Sequence, residues 1–312
     1  MKKKETISLL LLFLAAIIWG VSFVAQSEGG KTLGPYSFNG IRLLLGSLVL
    51  FIAIKITDKV GFSKKPVTKE EKKSQFVIGL VCGLFLFFAT NTQQIGINLC
   101  NSTGKAGFLT AVYILLVPII ALIVFKKKCS WNVWVGVVIA LGGLYFLCIK
   151  DEFVFSLEDM LLLLAALGFA GQIITIDVYG SKVDSLRLSE LEFFTAGVLT
   201  VIIALFKEII PFAGGFSAWL NIWTSGGIWV EMLYMAVLSC GIAYTLQVFC
   251  QKNLDPTIAS LAMSFEAVFA AIAGWLILNQ KMDTREFMGC VLMFIAIIVA
   301  QLNFQKKQNN LI

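Results

Sequence analysis

Apolar runs about as long as a bilayer-spanning helix, roughly 20 residues, recur ten times along the chain with short polar segments between them. They lie at 7–27, 36–56, 75–97, 104–125, 131–149, 160–180, 189–209, 228–250, 257–278 and 284–302. A helix of that length rises about 30 Å, the thickness of the hydrocarbon core, and satisfies its own backbone hydrogen bonds where no water can. The pattern predicts ten transmembrane helices. The longest polar interruption, 57–74, is too short to be a domain. The first run follows Lys2-Lys3-Lys4 as in a signal peptide, yet at about 21 residues it exceeds the apolar core of one, so an uncleaved first span is expected.

Shifting the sequence by 153 residues lays the first five runs over the last five without a gap. Residue identity between the halves is low, so the matching run and loop lengths carry the comparison. They predict two five-helix repeats, 1–156 and 157–312. Five is odd, so the second copy enters the membrane from the opposite side. The charges agree: 57–74 holds six lysines, whereas its counterpart 210–227 holds no Lys or Arg. With the N-terminus placed in the cytoplasm, 18 of the 25 Lys and Arg fall at inner ends and loops and six at outer ones. That bias orients both termini inward. The expected fold is an all-α membrane protein of ten transmembrane helices in two inverted repeats, located in the cell membrane, and such repeats support alternating access to a central site.

Composition narrows the function. Hydrophobic residues make up 58% and charged residues 14%, with a mean hydropathy of +0.87, too few charges to cover a water-soluble fold. There is no histidine, which removes Ser-His and Cys-His catalysis, histidine metal sites and histidine proton relays. The seven cysteines lack CxxC spacing and read as small buried hydrophobes. The net charge of +6 comes from lysines flanking apolar runs, which fits anionic lipid and argues against nucleic acid. The stretch 101–105, Asn-Ser-Thr-Gly-Lys, lacks the flanking residues of a phosphate loop. No cofactor, no metal and no enzymatic activity are expected.

Several short motifs occur in order: Ile18-Trp19-Gly20-Val21-Ser22-Phe23, then Ile41-Arg42-Leu43, then Leu116-Val117-Pro118 with Gly136, then Ser264-Phe265-Glu266 with Gly289. In this order and spacing the chain resembles the ten-helix drug/metabolite transporter superfamily of the EamA type. It departs from the usual pattern at Ala267, Phe125-Lys126-Lys127 and Leu278-Asn279-Gln280. The resemblance implies a central cavity lined by spans one, three, four, six, eight and nine, carrying small metabolites, often amino acids, usually outward.

Polar groups at mid-membrane depth are the candidates for chemistry, because hydrocarbon penalises them. Glu266 lies about ten residues into its run, where a carboxylate must face protein or water, find a partner, or carry a proton. It is the candidate coupling group or ammonium site, with a structural hydrogen bond as the alternative. The shift places Tyr113 at the equivalent position. Trp19, Ser22 and Gln26 share one helical face, and their counterparts Gln172, Thr175 and Tyr179 share another. These stripes are candidate cavity walls or helix-helix contacts. Gln94 and Gln247 suit gates at the outer and inner mouths, and the polar run Thr90 to Gln94 is expected to meet water in part. Arg42, with Asn39 on its face, reads as a side chain snorkelling to the interface. Glu190 and Glu192 beside Arg187, and Asp177 beside Lys182, read as interfacial pairs. Asn101-Ser102-Thr103 forms a glycosylation sequon.

The reading is a secondary active or facilitative transporter of small metabolites, amino acids or related compounds, acting mainly in efflux. Its partners would be the small-molecule substrate, the lipid bilayer and a proton as candidate coupling ion, and it would act as a monomer or homodimer. The alternatives are a lipid or polyprenyl-linked flippase, a membrane-embedded enzyme, and a structural or receptor-like membrane protein.

Overall fold

The computed structural model describes residues 3–60, 65–100, 102–127, 129–148, 155–224, 227–279 and 283–301, and among them there are helices and no β-strand. The first half comprises α1 (Lys3–Leu33), α2 (Pro35–Val60), α3 (Lys69–Leu99), α4 (Thr103–Ala111), α5 (Tyr113–Phe125) and α6 (Trp131–Cys148). The second comprises α7 (Leu157–Tyr179), α8 (Ser185–Ala204), α9 (Gly215–Thr224), α10 (Ile228–Leu233), α11 (Tyr244–Gln251), α12 (Pro256–Met263), α13 (Glu266–Leu278) and α14 (Thr284–Gln301). Two π-helical segments, Leu205–Ile209 and Tyr234–Ala243, continue α8 and join α10 to α11.

Among the described residues, eight helical runs are long and apolar enough to cross a membrane, and Trp131–Phe146 is a shorter apolar helix. The expected fifth and tenth spans correspond to α6 and α14, 18 residues each. The expected cytoplasmic termini, and Asn101 of the sequon, fall outside the described residues.

Local chemistry fixes where the helices start. Thr68 opens α3 with a capping box: Thr68 Oγ1 accepts from the Glu71 N–H at 3.1 Å and Glu71 Oε2 accepts from the Thr68 N–H at 3.1 Å. Asp184 caps α8 through the Arg187 N–H, and Asp255 followed by Pro256 opens α12. Between α1 and α2 the chain turns at Gly34 with φ 90°, a conformation that a β-carbon disfavours. There the Glu208 carboxylate accepts from the Tyr36 and Ser37 N–H groups at 2.9 and 2.6 Å, which ties the N-terminus of α2 to the end of α8.

Helix pairing follows the 153-residue shift. α1 packs on α13 and on the π-helical segment at 234–243, as α7 packs on α5 and on α3. α2 lies against α8, and α6 against α14. Under the shift, α5 superposes end for end on α13, and α6 on α14. The helix break at Val112 falls on the break at Phe265. Lys126 and Asn279, the only described non-glycine residues with positive φ, both at 54°, close α5 and α13 in the same way.

Small residues allow this close approach. A β-carbon at Gly20 would lie 2.3 Å from Phe269 Cβ and 2.7 Å from the Phe269 carbonyl carbon. At Gly136 it would meet Ala296 O at 2.8 Å, and at Gly143 Gly289 O at 2.9 Å. Large apolar side chains such as Leu48, Ile52, Ile123, Ile202, Leu276 and Ile298 point outward, as lipid contact requires. Gly20→Val should lower stability by about 2 kcal/mol or more, because the α1–α13 contact has no room for a side chain. Gly142→Ala, where a β-carbon meets nothing within 4 Å, should leave it unchanged. Thermal unfolding in detergent micelles measures both.

Candidate functional site

At the centre of the bundle the helices leave a small cavity of about 40 Å³, room for a few water molecules. α1 contributes Trp19, Ser22, Phe23 and Gln26; α2 contributes Arg42, and α3 Gln93. Tyr113 enters from the start of α5, and Phe169, Gln172 and Ile173 from α7. The π-helical segment and α11 supply Ser239, Tyr244 and Gln247, and Met263 and Glu266 flank the break between α12 and α13.

Trp19, Ser22, Gln26, Tyr113, Gln172 and Glu266 are thus brought together. Thr175 and Tyr179 are not part of this wall: the Thr175 hydroxyl turns back to Gly171 O at 2.8 Å, and Tyr179 is 41% exposed at the end of α7, under the Lys182 ammonium. Gln247 lines the cavity itself. Gln94 stands apart from it, with its amide bonded to Gln26 O at 2.9 Å and Asn98 Oδ1 at 2.8 Å.

Two sequence readings are corrected. Arg42 does not snorkel: it is 3% exposed, with Nη2 donating to Gln26 Oε1 and Nε to Asn39 Oδ1, both at 3.1 Å. Its face of α2 is covered by α1 and α3, so the guanidinium has no route to the interface. Glu192 is fully buried rather than interfacial, and accepts from Gln172 Nε2 at 3.0 Å. Gln172 Oε1 in turn accepts from Gln247 Nε2 at 3.0 Å, so an ordered chain of amides runs from α11 through α7 to α8. Arg187 pairs with Asp58 at 2.6 Å, and Asp177 with Lys127. The polar run on α3 meets other helices: Thr90 accepts from Asn39, Asn91 donates to Thr200, and Gln93 donates to Thr110.

The cavity wall keeps unused hydrogen-bonding capacity. Glu266 Oε1, Gln247 Oε1 and Trp19 Nε1 are buried without a protein partner, and buried polar groups are normally paired. Tyr113 stands beside Glu266, while Trp19 and Phe193 pack edge-on against Tyr244 with centroids 4.9 and 5.0 Å away. An acid, a guanidinium, amides and aromatic faces in one enclosure suit a small solute with charged and apolar parts. At the end bearing Lys65, Lys182 and Lys252, a wider vestibule of about 940 Å³ opens between α1, α3 and α11.

Because Gln172 is the middle link of the amide chain, Gln172→Leu strands Gln247 and Glu192 together and should cost about 1–3 kcal/mol. Thr175→Val loses only a bond within its own helix and should cost about 0.6 kcal/mol or less. Chemical unfolding of the two variants in mixed micelles compares them.

Similarity to known proteins agrees with this architecture. The EamA-like transporter family matches residues 6–149 and again 156–301. An uncharacterized transporter of Bacillus subtilis, YoaV, is 23% identical over 94% of this chain and 96% of its own length. One from Archaeoglobus fulgidus is 26% identical over 93% and 84%. The S-adenosylmethionine uptake transporter of Rickettsia prowazekii is 25% identical over 89% and 87%. A crystal structure with 16% identity superposes with a TM-score of 0.73 over 95% of this chain and 97% of that one, a likeness of fold. With the family match running through both halves, the chain belongs to the EamA-like transporter family of the drug/metabolite transporter superfamily and is a multi-pass membrane transporter.

Proposed function

We propose that the protein is a secondary active or facilitative carrier of small metabolites, amino acids or related compounds, moving them mainly outward by alternating access. The observation that carries this reading is the central cavity, lined from both halves of the chain and holding buried polar atoms without protein partners. Two inverted five-helix repeats, 1–156 and 157–312, would form ten spans with both termini in the cytoplasm. The coincident helix bounds and paired left-handed caps support the repeat, and the basic-residue bias supports the orientation. In that orientation the vestibule at Lys65 and Lys182 faces the cytoplasm, while contacts such as Gln94 to Gln26 hold the outer side closed.

Within this scheme Glu266 receives a substrate ammonium group or a coupling proton, with Tyr113 beside it. Binding and proton uptake at one carboxylate compete, which is the minimum device for exchange. Trp19, Ser22, Gln26 and Gln172 complete the wall, Gln94 acts as a gate element, and Gln247, expected at the inner mouth, joins the wall.

A second reading, transport of S-adenosylmethionine, is favoured by the Rickettsia relative. That solute carries a sulfonium and an α-amino acid group, which the same acidic and amide wall could hold. Counterflow of labelled amino acids and S-adenosylmethionine into sealed proteoliposomes tests both. Uptake of either solute against a preloaded unlabelled pool is expected. Lipid scrambling without solute counterflow would favour a flippase, and chemical turnover in detergent would favour an enzyme.

Topology has its own check. A cysteine placed at residue 65 should react with an impermeant maleimide only from the cytoplasm, and one at residue 218 only from outside. Labelling of both from one side would end the inverted-repeat proposal.

Glu266→Gln keeps the side-chain shape and removes the charge. A charge-assisted hydrogen bond contributes about 1.5–3 kcal/mol, so counterflow should fall about tenfold or more, with any dependence on a pH gradient lost. Unchanged rate and pH dependence in a normally inserted variant would reduce Glu266 to a structural group.

A further inference from the structure

The buried charges of this chain are unequally satisfied. Among the described residues, five charged side chains are buried, and Arg42 is the only cation. Asp159 meets Lys105 at 2.7 Å, Glu286 accepts from the Asp283 N–H at 2.7 Å, and Glu192 is bonded by Gln172. Arg42 has no ion pair among the described residues. Its hydrogen bonds to oxygen go to two neutral amides, and the thiol of Cys240 lies alongside. A guanidinium presents five N–H groups in a planar fork, more than these partners use, and Arg42 lines the central cavity.

The fork is also held in place. Asn39, which fixes Nε, donates to Thr90, and Thr90 donates to Leu86 O at 2.7 Å. Gln26, which fixes Nη2, is anchored on α1, whose backbone at that residue accepts from Gln94. Such support keeps the positive charge at the cavity wall, where burial without a counter-ion is costly and a carboxylate fits the fork with two parallel hydrogen bonds.

We propose that Arg42 is an anion-binding residue of the central cavity, and that the transported solute carries a carboxylate which this guanidinium receives. The proposal rests on the transport reading above. Glu266 on α13 takes the opposite charge, and Trp19, Phe23, Phe169, Ile173 and Met263 offer an apolar enclosure between them. An amino acid with an apolar side chain satisfies all three requirements. The competing role for Arg42 is to balance Glu192, whose charge reaches the same Cys240 and Tyr244.

The test is ligand binding by the full-length protein in lipid nanodiscs, read as thermal stabilisation and as intrinsic tryptophan fluorescence, with L-leucine, L-methionine and L-phenylalanine and their amides as probes. Wild type is expected to bind at least one acid about tenfold more tightly than its amide, the difference of one charged contact. Arg42→Lys should keep a reduced preference, and Arg42→Gln should abolish it. Should Arg42→Gln fail to fold, the double variant Arg42→Gln/Glu192→Gln restores charge balance and is expected to show no preference for the acid. The proposal is overturned if wild type binds none of the acids, if it binds amides equally well, or if the acid preference survives in either Gln variant. Counterflow separates this result from the transport reading. Binding without counterflow overturns transport and leaves the Arg42 site, whereas counterflow of an uncharged solute with no binding of the acids overturns Arg42 and leaves transport.

Discussion

Inside a bilayer no water is available to a polar group, so each one must be satisfied by the protein or gathered where water and solutes can enter. The rest of this structure depends on that constraint. Short hydroxyl side chains meet it locally: Ser22, Thr90, Thr92, Thr175 and Thr245 return their hydrogens to the carbonyl four residues earlier. Longer amides and charges mostly reach across to other helices instead. Gln26, Arg42, Gln172, Glu192, Gln247 and Glu266 collect around the central cavity, which is lined from both halves of the chain.

Breaks in the helices shape that place. Where α4 gives way to α5, and α12 to α13, the chain changes direction at Val112 and at Phe265, and the residues that follow are Tyr113 and Glu266. Pro118 lies one turn into α5, but Ala271 stands at the equivalent position after the second break. At that second break the Ser264 hydroxyl donates to Leu261 O and the Ala267 N–H bonds Ser264 O, a tight turn made without proline. The π-helical segment at 234–243 is a further departure from regular helix, from which Ser239 faces the cavity and Tyr234 reaches Ile18 O at 2.8 Å. Wider turns of this kind are frequent at functional sites because they alter the direction of side chains.

Electrostatically the cavity is a small bipolar compartment. Tyr244 lies within reach of Arg42, Glu192 and Glu266 at once. Between these charges stand neutral amides that relay hydrogen bonds in one direction, from Gln247 to Gln172 to Glu192. Such a network is strongest when its members are satisfied, and here Gln247 Oε1, Glu192 Oε1 and Glu266 Oε1 are buried without a protein partner. Pairs outside the cavity, Arg187 with Asp58 and Lys105 with Asp159, neutralise charge where loops join the helices.

Hydropathy and length depend only on the order of residues, so the sequence alone determined the apolar runs and marked Trp19, Tyr113, Gln172 and Glu266 as candidates within them. Each of those residues is polar or amphipathic in an otherwise apolar run, and the shift relates Trp19 to Gln172 and Tyr113 to Glu266. Which face of each helix turns inward was decided only by tertiary structure. Lipid and neighbouring helices offer the same hydrocarbon surface, so apolar residues surround a span and leave little periodicity to read. Arg42 near the end of a span resembled an interfacial side chain until α1 and α3 covered it, and Glu192 resembled a partner for Arg187 until Gln172 claimed it and Asp58 took the arginine. Ser239 and Tyr244 carried no separate signal, because their places depend on the π-helical turns between α10 and α11. Thr175 and Tyr179 carried a misleading one: a stripe on a helix specifies a face, whereas the point at which that face leaves the cavity depends on how the helix is packed.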